Sequence, residues 1–265
     1  MDIQNNNLKI YDKSFENRLI LGTALYPNLD IMKDSIIESK SNLVTVSLRR
    51  ESNQIKNGNF FWECIKELNV DVLPNTAGCY TAKEAILTAQ MAREVFNTNL
   101  VKLEVICNSY NLQPNIPELL KATEELIQLG FKVLPYCTDD SSICAKLIEL
   151  GCKVIMPLAA PIGTGKGLLN AYQFKMIREQ FSEVTIIIDA GIGRPSHACQ
   201  AMELGADGIM LNTAVAKSLD PKMMAKAFNF SIQAGNMAYK AKMMNEKEIA
   251  SPSTPVVGKP FWHQV

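Results

Sequence analysis

The sequence predicts an α/β protein folded as a single (β/α)8 TIM barrel, and three observations predict it. Eight short apolar runs alternate with longer amphipathic stretches along the chain. The runs are rich in Val, Ile and Leu, as strands covered by helices should be. The length of 265 residues is ordinary for one such barrel. Serial strand–helix units demand a parallel sheet with crossovers, and the other way to arrange them is an open doubly wound sheet. The barrel is expected over 18–250, after an N-terminal extension at 1–17 and before a C-terminal tail at 251–265.

The expected strands are 19–23, 43–48, 71–75, 100–106, 132–136, 153–158, 184–190 and 208–212. Between them, Thr81 and Glu84 have the spacing of a capping box, which opens a helix running to about residue 96. Ile116, Leu119, Leu120, Leu126 and Ile127 recur at helical spacing over 115–129, and Gly130 stops that helix. A further helix over 139–150 ends at Gly151. Pro195 suits the first turn of a helix that ends at Leu204 and Gly205. The longest helix starts at Pro221 and runs to about residue 244. No Pro/Gly/Ser-rich linker divides the chain.

Composition narrows the function classes. With 47% hydrophobic and 20% charged residues the chain is ordinary globular material. Lys plus Arg equals Asp plus Glu at 27 each, so no basic surplus points to nucleic acid, although a local patch can still hold a phosphate. Seven cysteines are scattered singly with no C-x-x-C pair, which reads as reduced thiols rather than disulfides or a metal site. The polar N-terminus has no secretory apolar core, and no apolar run reaches the roughly 18 residues of a membrane span, so the expected location is the cytoplasm.

The chemistry starts at Val101-Lys102-Leu103-Glu104-Val105. Side chains alternate along a strand, so the three apolar residues share the helix-facing side, and Lys102 and Glu104 point into the barrel. An amine partly stripped of water is more often uncharged and able to attack a carbonyl. Glu104 pulls the other way by favouring the ammonium form, and its more useful role is to move protons. A structural Lys–Glu pair plugging the barrel is the plainer alternative. Asp189 follows three isoleucines at a strand's C-terminal end, where such barrels keep their active sites. Gly191 and Gly193 after it allow close backbone approach, and the loops after the last two strands, ending at Asn212 and Thr213, suit a phosphate. The segment from Ala159 to Gly167 lacks the P-loop spacing and reads as an active-site loop. Arg49 and Arg50 at another strand end suit an anion or a solvated rim equally. His197 and His263 stand far apart, so no metal-ligand cluster is expected. The methionines of the last helix suit core or subunit contact.

Taken in order, these residues make the chain resemble the bacterial thiazole synthases. The resemblance covers about residues 21–250 and rests on Val44-Thr45-Val46-Ser47-Leu48-Arg49-Arg50, Pro74-Asn75-Thr76-Ala77-Gly78-Cys79, Lys102-Leu103-Glu104-Val105, Leu134-Pro135-Tyr136-Cys137-Thr138-Asp139-Asp140, Met156-Pro157-Leu158-Ala159-Ala160-Pro161-Ile162-Gly163, Asp189-Ala190-Gly191-Ile192-Gly193 and Leu211-Asn212-Thr213-Ala214. It implies a (β/α)8 barrel that condenses 1-deoxy-D-xylulose 5-phosphate, dehydroglycine and sulfur, the sulfur arriving on a ubiquitin-like thiocarboxylated sulfur carrier protein. It further implies Lys102 as the imine-forming residue, Glu104 and Asp189 as acid/base groups, and Gly163, Ala190, Gly191, Asn212 and Thr213 as substrate contacts. It implies no metal, no organic cofactor and a homotetramer. Three positions depart from the family pattern: Ser47 and Ala159 stand for an expected alanine and glycine, and Tyr80 for an arginine. A Schiff-base aldolase on the same barrel, or a non-catalytic scaffold for the carrier, are the competing readings.

Overall fold

The computed structural model describes residues 7–48 and 58–254. Two short strands, β1 (Leu8–Ile10) and β2 (Lys13–Phe15), pair antiparallel as a hairpin. Eight parallel strands follow: β3 (Leu19–Gly22), β4 (Leu43–Ser47), β5 (Asp71–Asn75), β6 (Leu100–Leu103), β7 (Lys132–Cys137), β8 (Val154–Pro157), β9 (Thr185–Asp189) and β10 (Gly208–Leu211). They close into a barrel in the order β10-β3-β4-β5-β6-β7-β8-β9, not into an open sheet. The predicted strands match these within three residues at each end.

The helices lie outside the barrel: α1 (Leu29–Ser39), α2 (Gly58–Glu67), α3 (Ala82–Phe96), α4 (Ile116–Gln128), α5 (Ser141–Glu149), α6 (Ala171–Gln180), α7 (Pro195–Glu203), α8 (Thr213–Ala216) and α9 (Pro221–Ala241). Their starts follow local chemistry. Thr81 caps α3 by accepting a bond from the Glu84 N–H at 3.3 Å, while the Glu84 carboxylate accepts from the Tyr80 N–H at 2.8 Å. The box thus closes one residue earlier than the expected reciprocal bond. Pro195 and Pro221 occupy first-turn positions, where a missing N–H is harmless. The long α9 packs across α1 and α7, and at its crossing with α7 a Cβ on Gly235 would stand 2.4 Å from the Cys199 carbonyl oxygen, so only glycine lets the helices approach that closely.

Inward and outward faces separate cleanly. Val101, Leu103 and Val105 join the layer between strands and helices. Inside the barrel, Ile20, Leu43, Leu73, Leu100, Leu134, Val154, Met156, Ile187 and Met210 form a second apolar cluster. The hairpin completes that cluster from below with Leu8, Ile10 and Phe15, all buried. Tyr11 turns the hairpin at φ 56°, a strained conformation for a bulky residue, and its hydroxyl donates to the Val133 carbonyl at 2.8 Å. Thr185 bonds the Lys9 carbonyl at 2.9 Å, so two barrel strands hold the plug.

All seven cysteines are free, five of them buried. No helix among the described residues is long and apolar enough to cross a membrane. Arg49, Arg50 and His263, singled out in the sequence, lie outside the described residues.

Candidate active site

The inward positions change character towards the C-terminal end of the barrel. Above Leu43, Leu73, Leu100 and Ile187 stand Thr45, Asn75, Lys102 and Asp189, two residues further along the same strands. They line a cavity of about 620 Å³ at the C-terminal mouth. Lys102 Nζ stands 2.6 Å from Asp189 Oδ2 and 3.0 Å from Glu104 Oε1. All three residues are more than nine-tenths buried. The ammonium also faces the Tyr136 ring, 5.8 Å from its centre, at the outer range of a cation–π contact.

Glu104 owes its position to the end of β6. The strand stops at Leu103, shorter than predicted, because the Glu104 N–H leaves the ladder for Thr76. The Thr76 hydroxyl accepts that N–H at 2.8 Å and donates to the Glu104 carbonyl at 2.7 Å. Asp189 is held by the Ala190 N–H, which donates to Oδ1 at 2.8 Å, and Ala190 adopts φ 58° to deliver it. The other carboxylate oxygen is then left for the amine.

The charge state follows from this packing. Burial works against the Lys102 ammonium, but Asp189 and Glu104 outweigh it, and the pKa stands above the ordinary lysine value. The sequence-based expectation of an uncharged amine is therefore corrected: it reckoned with one carboxylate, and the fold supplies a second. Burial pushes the Asp189 carboxyl up, Lys102 pulls it back, and Glu104 adds to the rise. Of the two carboxylates, Asp189 lies closer to the amine, at 2.6 against 3.0 Å.

The expected substrate contacts also converge on the mouth. Gly163, Ala190, Gly191, Asn212 and Thr213 all line the cavity. Gly191 adopts φ 71°, and a Cβ there would lie 2.4 Å from the Ala160 Cβ, so glycine is required by both conformation and space. The Gly167 N–H donates to the Gly191 carbonyl at 2.8 Å, tying the loop after β8 to the loop after β9. His197 braces the pair by accepting from the Gly193 N–H at 3.3 Å, and burial followed by Arg194 holds its pKa below the ordinary value. Ala159 lies outside the left-handed region, so it carries its methyl group without strain. Asn212 donates to the Ala24 carbonyl at 2.9 Å, and its buried Oδ1 has no hydrogen-bond partner among the described residues.

The structure also brings in residues that the sequence reading passed over. Thr23, Thr45, Asn75 and Lys217 line the cavity with Ser47 and Tyr80. Strand parity was the available signal, since Leu43-x-Thr45-x-Ser47 and Leu73-x-Asn75 turn polar on the inward face as Leu100-x-Lys102 does.

A closed parallel barrel with a buried amine–carboxylate cluster in a cavity at the strands' C-terminal ends defines a (β/α)8-barrel enzyme. Residues 9–255 match the family described as "Thiazole biosynthesis protein ThiG", and the chain belongs to that family, the thiazole synthases of thiamine biosynthesis. A protein named thiazole synthase from Nitrobacter hamburgensis is 53% identical over 97% of this chain and 99% of its own length. One of the same name from Nitrobacter winogradskyi is 54% identical over 97% and 99%. Among solved structures, the Amycolatopsis orientalis BexX/CysO complex contains a chain 25% identical, superposing with a TM-score of 0.80 over 92% of this chain and 98% of that one.

Proposed function

We propose that this thiazole synthase works through an imine between Lys102 and 1-deoxy-D-xylulose 5-phosphate, with Asp189 and Glu104 as its proton-transfer groups. The observation that carries the reading is the amine held 2.6 and 3.0 Å from two buried carboxylates in the mouth cavity. Lys102 gives a proton to Asp189 and attacks the C2 ketone. The carbinolamine loses water to form the imine. A carboxylate removes the C3 proton, and tautomerisation moves the carbonyl to C3. The thiocarboxylate of a ubiquitin-like carrier protein adds its sulfur there, water and the carrier leave in later steps, and dehydroglycine closes the ring. The substrate is contacted by Gly163, Ala190, Gly191, Asn212 and Thr213, and its phosphate stays anchored by the loops after the last two strands, where N–H groups favour an anion.

A protein partner is supported by the BexX/CysO complex on a similar barrel. The homotetramer rests on the family resemblance, and the exposed Met223, Phe230 and Met237 at seven-residue spacing on α9 support a contact between copies there. The working location on this reading is the cytoplasm, and no metal or organic cofactor takes part.

The test is borohydride reduction in the presence of the sugar phosphate, followed by peptide mass spectrometry. A reduced adduct on Lys102 is the expected result. An adduct only with other aldehydes returns the aldolase reading. Unchanged thiazole formation after Lys102→Ala, with carrier binding intact, returns the scaffold reading.

A further inference from the structure

Two walls of the cavity differ in chemistry. The closed strand order sets β5 opposite β9, and β4 beside β5. The wall formed by the loops after β9 and β10 is the one assigned above to the phosphate. The β4–β5 wall carries Thr45, Ser47 and Asn75. Ser47 pairs in register with Asn75, and Asn75 with Lys102, so the three inward side chains form one row. Neighbouring strands lie about 4.8 Å apart, which puts the Ser47 backbone about 10 Å from that of Lys102.

The polar groups of this row are satisfied except one. Asn75 Nδ2 donates to Thr45 Oγ1 at 2.9 Å, Asn75 Oδ1 accepts from the Ala77 N–H at 3.2 Å, and Thr23 Oγ1 donates to the Thr45 carbonyl at 3.0 Å. Ser47 is 8% exposed, and its hydroxyl has no hydrogen-bond partner among the described residues. A buried hydroxyl without a partner is unfavourable, and one in a cavity wall can be satisfied by a bound ligand. Among the described residues the charged groups lining the cavity are Lys102, Glu104, Asp189 and Lys217, none of them on β4 or β5. The wall therefore offers a donor with no carboxylate of its own to repel an anion. A cavity of about 620 Å³ also has room for more than a five-carbon sugar phosphate.

We propose that Ser47, standing where the family pattern has alanine, gives this chain an added anchor on the β4–β5 wall, its hydroxyl taking the carboxylate of the small amino-acid-derived co-substrate while the sugar phosphate occupies the opposite wall. The proposal rests on the reading of the sugar phosphate and dehydroglycine as substrates. The hydroxyl donates to a carboxylate oxygen, a charge-assisted bond that orients the imine carbon of the co-substrate towards the row's other end at Lys102.

The test uses oxamate, a stable planar analogue of dehydroglycine, on the full chain. Calorimetry gives its Kd for the unaltered protein, Ser47→Ala and Ser47→Val, and borohydride trapping gives the half-saturating sugar phosphate for each. Losing one bond to a charged group predicts about a tenfold weaker oxamate Kd in both variants. Trapping should stay within about twofold, and the melting temperature of Ser47→Ala should hold or rise, because an unpartnered hydroxyl leaves the interior. Unchanged oxamate binding in both variants overturns the proposal. So does a shift in sugar-phosphate half-saturation with oxamate unmoved, which would assign the hydroxyl to the first substrate. A fall in melting temperature with both affinities lost would make Ser47 structural and also overturns it. Absence of trapping in the unaltered protein sinks the imine reading, while Ser47-dependent oxamate binding would still stand by itself.

Discussion

The two ends of this barrel are built from the same strands, only two residues apart. At the lower end Leu43, Leu73, Leu100 and Ile187 meet the hairpin residues Leu8, Ile10 and Phe15 in an apolar cluster. At the upper end Thr45, Asn75, Lys102 and Asp189 line a cavity. The lower end gains stability by removing apolar surface from water, at about 2 kcal/mol for each large side chain. The upper end buries an ammonium between two carboxylates, an arrangement whose desolvation penalty offsets most of its attraction. Folding strength and chemical reactivity are thus assigned to different layers of one interior. That separation can be broken from either side.

The largest effect is expected at the top. Lys102→Ala should reduce thiazole formation by more than about ten-thousandfold, since the proposed covalent route needs the amine. The same change strands Asp189 and Glu104 beside each other in a buried site. Breaking a buried ion cluster from one side costs about 3–5 kcal/mol. Burial already raises the Asp189 carboxyl and Lys102 is what pulls it back, so in the variant its folded-state pKa stands further above the unfolded one. Stability should recover as pH falls towards about 4 and decline as pH rises through the folded value. Denaturation midpoints measured at two pH values check this. A pH-independent deficit would mean that the cluster is not what holds the charges.

Phe15→Ala should do the reverse. Phe15 is 4% exposed at the floor of the barrel. Emptying such a site costs about 3–5 kcal/mol, or roughly a 10 °C fall in melting temperature for a chain of this size. Borohydride labelling of Lys102 should persist below the new midpoint. Loss of labelling in still-folded protein would show that the floor and the mouth are coupled rather than separate.

A smaller effect is expected for Asp189→Asn, at about a hundredfold in rate, as for loss of one proton-transfer group. Its pH profile is the sharper measurement. Asp189 is the stronger of the two carboxylates holding the Lys102 pKa above the ordinary value. With it neutral, less opposes the burial that favours the uncharged amine, so imine formation should reach its plateau at lower pH than in the unaltered protein. A profile shifted to higher pH would contradict this charge assignment.

The upper layer was more legible in the sequence than the lower one. Alternation along 100–106 placed Lys102 and Glu104 inward without any structure, because the apolar positions on the other face left no choice. Asp189 showed as a charge at the end of three isoleucines. What one strand at a time did not show was that Lys102 and Asp189, 87 positions apart in number, would meet at 2.6 Å, since β6 and β9 touch only through the closed barrel. The lysine's charge state was misjudged for that reason. The hairpin was missed for a different one. Leu8, Ile10 and Phe15 lie in a polar stretch too short for a periodic signal, and three-residue strands gain their stability from what they cover. α1, α2, α6 and α8 went unassigned, the last of them a single turn of four residues with no room for a periodic signal.

The least of the expected effects tests how the plug is fastened. Tyr11 is the turn of the hairpin, and its hydroxyl reaches the Val133 carbonyl on β7. Tyr11→Phe removes that donor and leaves the ring, so the loss should be about 1 kcal/mol, well below that of Phe15→Ala. Burial, then the nearby Cys152, raises the Tyr11 pKa above its ordinary value of 10.0. A folded-state pKa above the unfolded one means that its stabilisation is whole below about pH 10 and fades as pH climbs towards the folded value. The gap between the unaltered protein and Tyr11→Phe should therefore be constant from neutral pH to about 10 and close beyond it, read from denaturant midpoints. A gap that widened in alkali would mean that the phenol is ionised in the fold, and the hydrogen bond from hairpin to barrel would not be what secures the floor.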